Sequence, residues 1–156
     1  MPGSRPSCDD KAAELLARRP HFRAQLATKL AARGYPGDEV ATALDRLERQ
    51  GYLDDRRTAA EFVERRLARG PLGRRRLAAE LVRRGAPPEA VTEALAGLPA
   101  DDRAAARAAA ARWRGRGGPA ALARHLDRLG FGGAAIREAL EGAGEEEAAA
   151  PSDDPA

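Results

Sequence analysis

Apolar residues in this chain recur at helical spacing. Leu26, Ala27, Leu30 and Ala31 follow the i, i+1, i+4, i+5 stripe of an amphipathic helix, and Leu77, Ala78, Leu81 and Val82 repeat it. Each stretch stops at a glycine, Gly34 and Gly85, and Gly130 stands in the same surroundings farther along. Glycine takes the left-handed backbone needed just past a helix C-terminus without a steric penalty. Around these glycines the same residue types return at fixed offsets. Leu26, Leu77 and Leu122 lie eight residues before, and Leu30, Leu81 and Leu126 four before. Val40, Val91 and Ile136 lie six after, and Leu44, Leu95 and Leu140 ten after. The turns Pro36-Gly37 and Pro87-Pro88 lead into third helices carrying Val40, Ala43, Leu44 and Leu47, then Val91, Ala94, Leu95 and Leu98. First helices are predicted from about Asp10 to Arg18, Asp55 to Arg69 and Asp102 to Arg114. The pairs Asp54-Asp55 and Asp101-Asp102 supply the carboxylates that helix starts favour.

No alternating pattern long enough for a strand survives. The fold class is therefore all-α: three tandem three-helix repeats, about nine helices, stacked as an elongated curved array because one repeat alone cannot bury its stripes. The boundaries read as a flexible N-terminus at 1–9, repeats at 10–53, 54–100 and 101–142, and a disordered acidic tail at 143–156.

Length and composition narrow the function. A chain of 156 residues suggests one folding unit, too short for most two-domain enzymes. With 43% hydrophobic but only 4% aromatic residues, the core must come from Leu, Val and Ala. The single Cys8, in a polar N-terminal stretch, has no intramolecular disulfide partner, and one Cys with two His cannot make a structural zinc set. No apolar run reaches the roughly 18 residues of a membrane span, and the start lacks the apolar segment of a secretion signal. The expectation is a cytoplasmic protein without membrane contact.

The net charge of +3 hides an asymmetry. Glu145, Glu146, Glu147, Asp153 and Asp154 gather in the tail, whereas ten arginines face three glutamates between Arg56 and Arg84. This basic middle reads either as solvated helix faces laced with ion pairs or as a footprint for a polyanion such as nucleic acid.

The block Gly51-Tyr52-Leu53-Asp54-Asp55-Arg56-Arg57-Thr58-Ala59, followed by Phe62-Val63 and Arg66, resembles a signature of the RecX regulatory proteins, bacterial modulators of the RecA recombinase. Gly73, Arg76, Leu77, Glu80, Leu81, Arg84 and Gly85 are similar to that family's second repeat, and Leu126, Leu129, Gly130 and Phe131 to its third. The sequence departs from the pattern at Thr58, where an aromatic residue is usual, at Ala86, and at His21, which takes a helix-start position usually held by Ser. The resemblance implies a non-enzymatic regulator without cofactors. It would act on the RecA nucleoprotein filament, binding in its groove, blocking extension or promoting disassembly, and so lowering recombinase, ATPase and co-protease activity. The motif residues Gly51, Tyr52, Leu53, Asp54, Asp55, Phe62, Gly73, Leu77, Leu81, Gly85 and Gly130 are packing and capping residues in this reading.

The candidate contact surface to the RecA filament and its DNA is Arg65, Arg66, Arg74, Arg75, Arg76, Arg83 and Arg84. Arg74 and Arg75 stand at a helix start, where positive charge opposes the dipole, so they are the better candidates for meeting an acidic partner; Arg69 sits comfortably at a C-terminus. Arg66 borders the buried stripe. Trp113 is either the main anchor of an alanine-rich helix or a stacking platform for a base. No catalytic or metal-binding set emerges: His21 and His125 are far apart in the repeat scheme and read as solvent-facing or capping, and no Gly-Lys-Ser/Thr phosphate loop occurs. The alternative function is a sequence-tolerant DNA-binding helical protein, acting without RecA. A monomer is expected.

Overall fold

The computed structural model describes residues 5–149, with side chains to Gly144. Among the described residues there are nine helices and no strand: α1 Cys8–Arg18, α2 Arg23–Ala31, α3 Gly37–Arg49, α4 Asp55–Leu67, α5 Arg74–Arg83, α6 Pro88–Ala96, α7 Arg103–Ala111, α8 Gly118–Arg128 and α9 Gly133–Ala149. They fall into three successive sets of three, as the repeat pattern predicts. The last helix runs on to Ala149, past the end at 142 read from the sequence, because Glu and Ala favour helix and no proline intervenes. The rest of the expected acidic tail lies outside the described residues.

The chain divides into two compact units where its length suggested one. The first holds residues up to Phe62 together with Glu80–Leu95; the second holds Val63–Ala79 together with the residues from Ala96 onward. The divisions fall inside α4 and α5 and at the last residue of α6. This is the outcome expected of a repeat chain whose segments bury their apolar faces only against sequence neighbours.

In the first unit, α1, α2 and α3 pack around Leu15, Leu26, Leu30, Val40, Leu44 and Leu47. Cys8 belongs to this core rather than to a polar stretch, and burial pushes its thiol pKa up. His21 is also inside, at 2% exposure, which corrects its reading as solvent-facing or capping. Its Nδ1 donates to Arg19 O at 2.9 Å, and its Nε2 has no partner. Desolvation holds its pKa below the usual range, so the neutral ring is the buried form.

In the second unit, α7, α8 and α9 enclose Ala106, Ala109, Leu122, Leu126, Phe131, Ala135 and Ala139. The alanines of α7 form its buried face themselves. Trp113 lies beyond the end of that helix, half-buried at the edge of the core, with its indole over Gly115, where a Cβ would clash with it.

The anchoring glycines adopt the backbone expected of them. Gly34, Gly85 and Gly130 have φ of 78°, 87° and 87°. After each, the next residue donates its N–H back to the leucine four residues before the glycine: Tyr35 to Leu30, Ala86 to Leu81, Phe131 to Leu126, at 3.1–3.3 Å. These are Schellman ends. They bury Tyr35, Ala86 and Phe131 against the helix just completed.

On α5 the stripe differs from the sequence reading. Leu77 and Leu81 are fully buried, but Val82 is 62% exposed and Glu80 only 5%. Position 82 lies about 140° round the helix from Leu77, whereas 80 lies about 60° from it. Glu80 therefore enters the buried side, paired with Arg84 at 3.8 Å, and the Arg84 guanidinium lies over the Phe62 ring at 4.5 Å.

Candidate nucleic-acid and protein interface

The block from Gly51 to Asp55 is a junction between successive repeats. Gly51, at φ 74°, ends α3, and both Tyr52 and Leu53 donate to Leu47 O. Leu53 then turns into the core at 3% exposure while Tyr52 stays 68% exposed. Asp54 caps its own helix by accepting the Arg57 N–H at 3.0 Å, and the Arg57 guanidinium returns to Gly51 O at 2.9 Å.

Asp55 does something the sequence reading missed. Its Oδ1 accepts the N–H of Arg23, the first residue of α2, at 2.8 Å, so it caps a helix of the preceding repeat. The arrangement recurs in the second unit. There Asp101 accepts the Arg103 N–H at 3.1 Å, and Asp102 accepts the N–H of Arg74, the first residue of α5, at 3.0 Å. Each Asp-Asp pair thus splits its work between its own helix and the second helix of the repeat before it. Burial raises the Asp55 pKa against the lowering effect of the Arg23 N–H.

A second tie accompanies the first. Gly85 lies against Ala24 and Gln25, at the start of α2, so that a Cβ there would meet the Ala24 Cβ at 3.2 Å. Gly130 lies against Arg76, in the first turn of α5, more tightly: a Cβ would meet Arg76 N at 2.5 Å. Gly73 completes this approach, donating its N–H to Leu129 O at 2.9 Å, with its own Cβ position 2.1 Å from Gly130 O.

Of the arginines singled out from the sequence, Arg65, Arg66, Arg74, Arg75 and Arg76 belong to the second unit, and Arg83 and Arg84 to the first. Arg65, Arg75 and Arg83 are exposed; the others are half-buried. Arg74 and Arg75 are not the ill-placed cations that a bare helix start suggests. The Arg74 guanidinium donates to the carbonyls of Leu98 and Pro99, and Arg75 pairs with Asp127 at 2.7 Å. Arg76 donates to Arg128 O at 2.8 Å. Here the carbonyls that close the same repeat, with the Asp127 carboxylate and the Arg128 carbonyl of the following one, offset the unfavourable dipole.

The structure adds residues that the sequence reading set aside. Arg66 and Arg76, together with Arg69, Arg112 and His125, line a cavity of about 320 Å³ in the second unit. His125 stacks on Trp113, ring centroids 4.8 Å apart and tilted by 36°. Neither Arg112 nor Asp127 had a sequence signal, because each is placed by the turn that follows a helix or by a partner in another repeat. Among the described residues no cluster of His, Cys, Asp and Glu could hold a metal ion, and no helix is long and apolar enough to cross a membrane.

Comparison with known proteins agrees with this arrangement. The RecX first three-helix domain matches residues 10–47 and the RecX second three-helix domain residues 54–95. Regulatory protein RecX of Halorhodospira halophila is 40% identical over 148 residues, covering 91% of each chain. That of a Thermus thermophilus strain is 44% identical over 77% of this chain and 80% of its own. That of Chromohalobacter salexigens is 46% identical over 88 residues, a stretch spanning 56% of this chain and 57% of that relative. Two crystal structures share the fold: a regulatory protein RecX with TM-score 0.73 and 19% identity, covering 86% of this chain and 70% of that one, and RecX from Lactobacillus salivarius with TM-score 0.74 and 15% identity, covering 88% and 95%. By both three-helix domains and by identity over nearly the whole length of a relative, the chain belongs to the RecX family of regulatory proteins.

Proposed function

We propose that the protein is an inhibitory regulator of RecA. It binds RecA filaments on single-stranded DNA and blocks their extension or promotes their disassembly, so that strand exchange, ATP hydrolysis and co-protease activity fall. It acts as a monomer in the cytoplasm. The observation that carries the reading is membership of a family of regulatory proteins, not enzymes, through two domains of which the second contains the whole arginine-rich run from Arg56 to Arg84.

The arginine geometry supports it. Exposed Arg65 and Arg75 of the second unit and exposed Arg83 of the first each meet the partner directly, while half-buried Arg66, Arg74, Arg76 and Arg84 add to the contact within their own units. Arg75 is available despite its ion pair: both it and Asp127 are more than half exposed, and such a pair contributes at most about 1 kcal/mol. A filament carboxylate or a phosphate can replace Asp127 at little cost. Arg presents a planar fork suited to either anion.

The test is single-stranded-DNA-dependent ATP hydrolysis by the cognate RecA, with this protein added at substoichiometric ratio to preformed and to assembling filaments. Inhibition of assembling filaments only indicates blocked growth; inhibition of both indicates disassembly. Where about five phosphates are neutralised, DNA affinity falls with a log-log salt slope of roughly −4. Unchanged ATP hydrolysis beside tight, salt-sensitive binding to DNA alone would replace this reading with that of a DNA-binding protein acting without RecA.

A further inference from the structure

A groove of about 570 Å³ lies between α1 and α3 in the first unit. Helix α1 places one stripe, Cys8, Ala12 and Leu15, in the core. The neighbouring stripe, Ala13, Leu16 and Ala17 at i, i+3 and i+4, faces the groove instead, and Leu47 of α3 completes an apolar floor. Ala13 and Ala17 are exposed and Leu16 is half-buried, so the folded unit leaves this floor open.

Tyr52 stands at the side of the groove. Its main chain is fixed by the left-handed turn at Gly51 and by the bond from its N–H to Leu47 O at 2.9 Å, yet its side chain is 68% exposed. Packing and capping, the roles the motif suggests, therefore leave its ring unused. A tyrosine held in this way offers a large amphipathic surface, and such residues dominate the energy of protein interfaces where they border an apolar recess.

The charges at the rim select the occupant. Asp9 is paired with Arg46, whereas Asp10 accepts the Ser7 hydroxyl at 2.7 Å and has no ion pair among the described residues. Two carboxylates against one guanidinium repel a phosphate and attract a cation. The groove thus suits a protein segment, not a nucleic-acid strand. We propose that it docks the protein of the RecA filament, through a segment that lays a bulky apolar side chain against Tyr52 and Leu16 and a lysine or arginine against Asp10. The proposal rests on the regulatory reading and deepens it: the filament's protein is held by this groove, and its anionic groups by the arginines.

The full-length protein is sedimented with cognate RecA filaments on long single-stranded DNA, held by a slowly hydrolysed ATP analogue, at low and at high salt; naked single-stranded DNA is the parallel probe. Tyr52→Ala, which removes an exposed side chain and spares the core, weakens filament binding about tenfold by nearly the same factor at both salts. It leaves affinity for naked DNA unchanged. Tyr52→Phe keeps the ring and retains most of the affinity. Asp10→Lys weakens filament binding several-fold, and Asp10→Asn, which keeps an acceptor for Ser7, weakens it less. Circular dichroism verifies that each variant is folded. Equal filament binding by Tyr52→Ala and the unaltered protein overturns the docking site and leaves the regulatory reading standing. A loss of the same size on naked DNA, or tighter filament binding by Asp10→Lys, replaces the protein segment with a nucleic-acid strand. Failure of the unaltered protein to bind filaments removes the regulatory reading, and this proposal with it.

Discussion

Replacing Gly73 with alanine tests the contact between the start of α5 and the end of α8. The new Cβ would stand 2.1 Å from Gly130 O and 2.6 Å from Phe131 N. Both are backbone atoms, so no side-chain rotation relieves the overlap. The two segments must separate, and the Gly73 N–H bond to Leu129 O at 2.9 Å stretches or breaks. Overpacking costs about 1–3 kcal/mol, and the hydrogen bond adds about 0.5–1.5 kcal/mol. The combined loss is roughly 2–4 kcal/mol. Two glycines of the same unit calibrate this value. Gly118 has φ 68° and open space around its Cβ position, so Gly118→Ala carries only the left-handed backbone penalty of about 1–2 kcal/mol. Gly132 has open space and no positive φ, so Gly132→Ala is neutral or stabilises by up to about 1 kcal/mol. Urea unfolding followed through Trp113 reads all three in the unit that contains them. At an m-value of about 2 kcal/mol/M, Gly73→Ala lowers the midpoint by roughly 1–2 M. A Gly73→Ala midpoint no lower than that of Gly118→Ala would refute the close approach.

Asp55→Ala removes the acceptor for the Arg23 N–H and is expected to destabilise by about 1 kcal/mol. Asp55→Asn keeps an acceptor oxygen and removes the buried charge, so it is neutral or slightly stabilising at pH 7; equal losses in thermal unfolding would show that charge, not the acceptor, makes the tie. Because burial raises the folded-state pKa of Asp55, its contribution is fully present below the unfolded value of about 3.9 and declines as pH rises through the folded value. The sign is opposite for His21: a pKa depressed by burial makes stability complete above the unfolded value of about 6.5 and lost as pH falls below it. Chemical denaturation at pH 7.5 and at pH 5 should therefore show a drop that His21→Leu abolishes, and a drop of the same size in both proteins would place the sensitive group elsewhere.

The sequence was most informative where a local rule acts alone. Leu26, Leu30, Leu77 and Leu81 announce their burial by spacing, and Gly34, Gly85 and Gly130 announce helix ends, because periodicity and left-handed backbone are properties of short segments. It misled where a residue answers to a distant partner. Asp55 and Asp102 read as caps of their own helices, yet each serves a helix that begins about thirty residues earlier. Arg74 and Arg75 read as unsatisfied charges until Leu98, Pro99 and Asp127 supply their acceptors. Glu80 and Val82 exchanged sides because both border the stripe, where a difference of helical angle rather than residue polarity decides burial. The arginine cavity was invisible for the same reason: its lining residues come from four helices and the turns that follow them.

The backward-reaching aspartates also order events in time. Arg23 is made 32 residues before Asp55, and Arg74 28 residues before Asp102. At about 5–20 residues per second, the nascent second helix of each repeat waits roughly 1.5–6 seconds for the carboxylate that closes its first turn. Until then its leading amides stay exposed to water. Each repeat is thus sealed by the arrival of the next, and the protein is assembled like a zip whose teeth are supplied by the chain still leaving the ribosome.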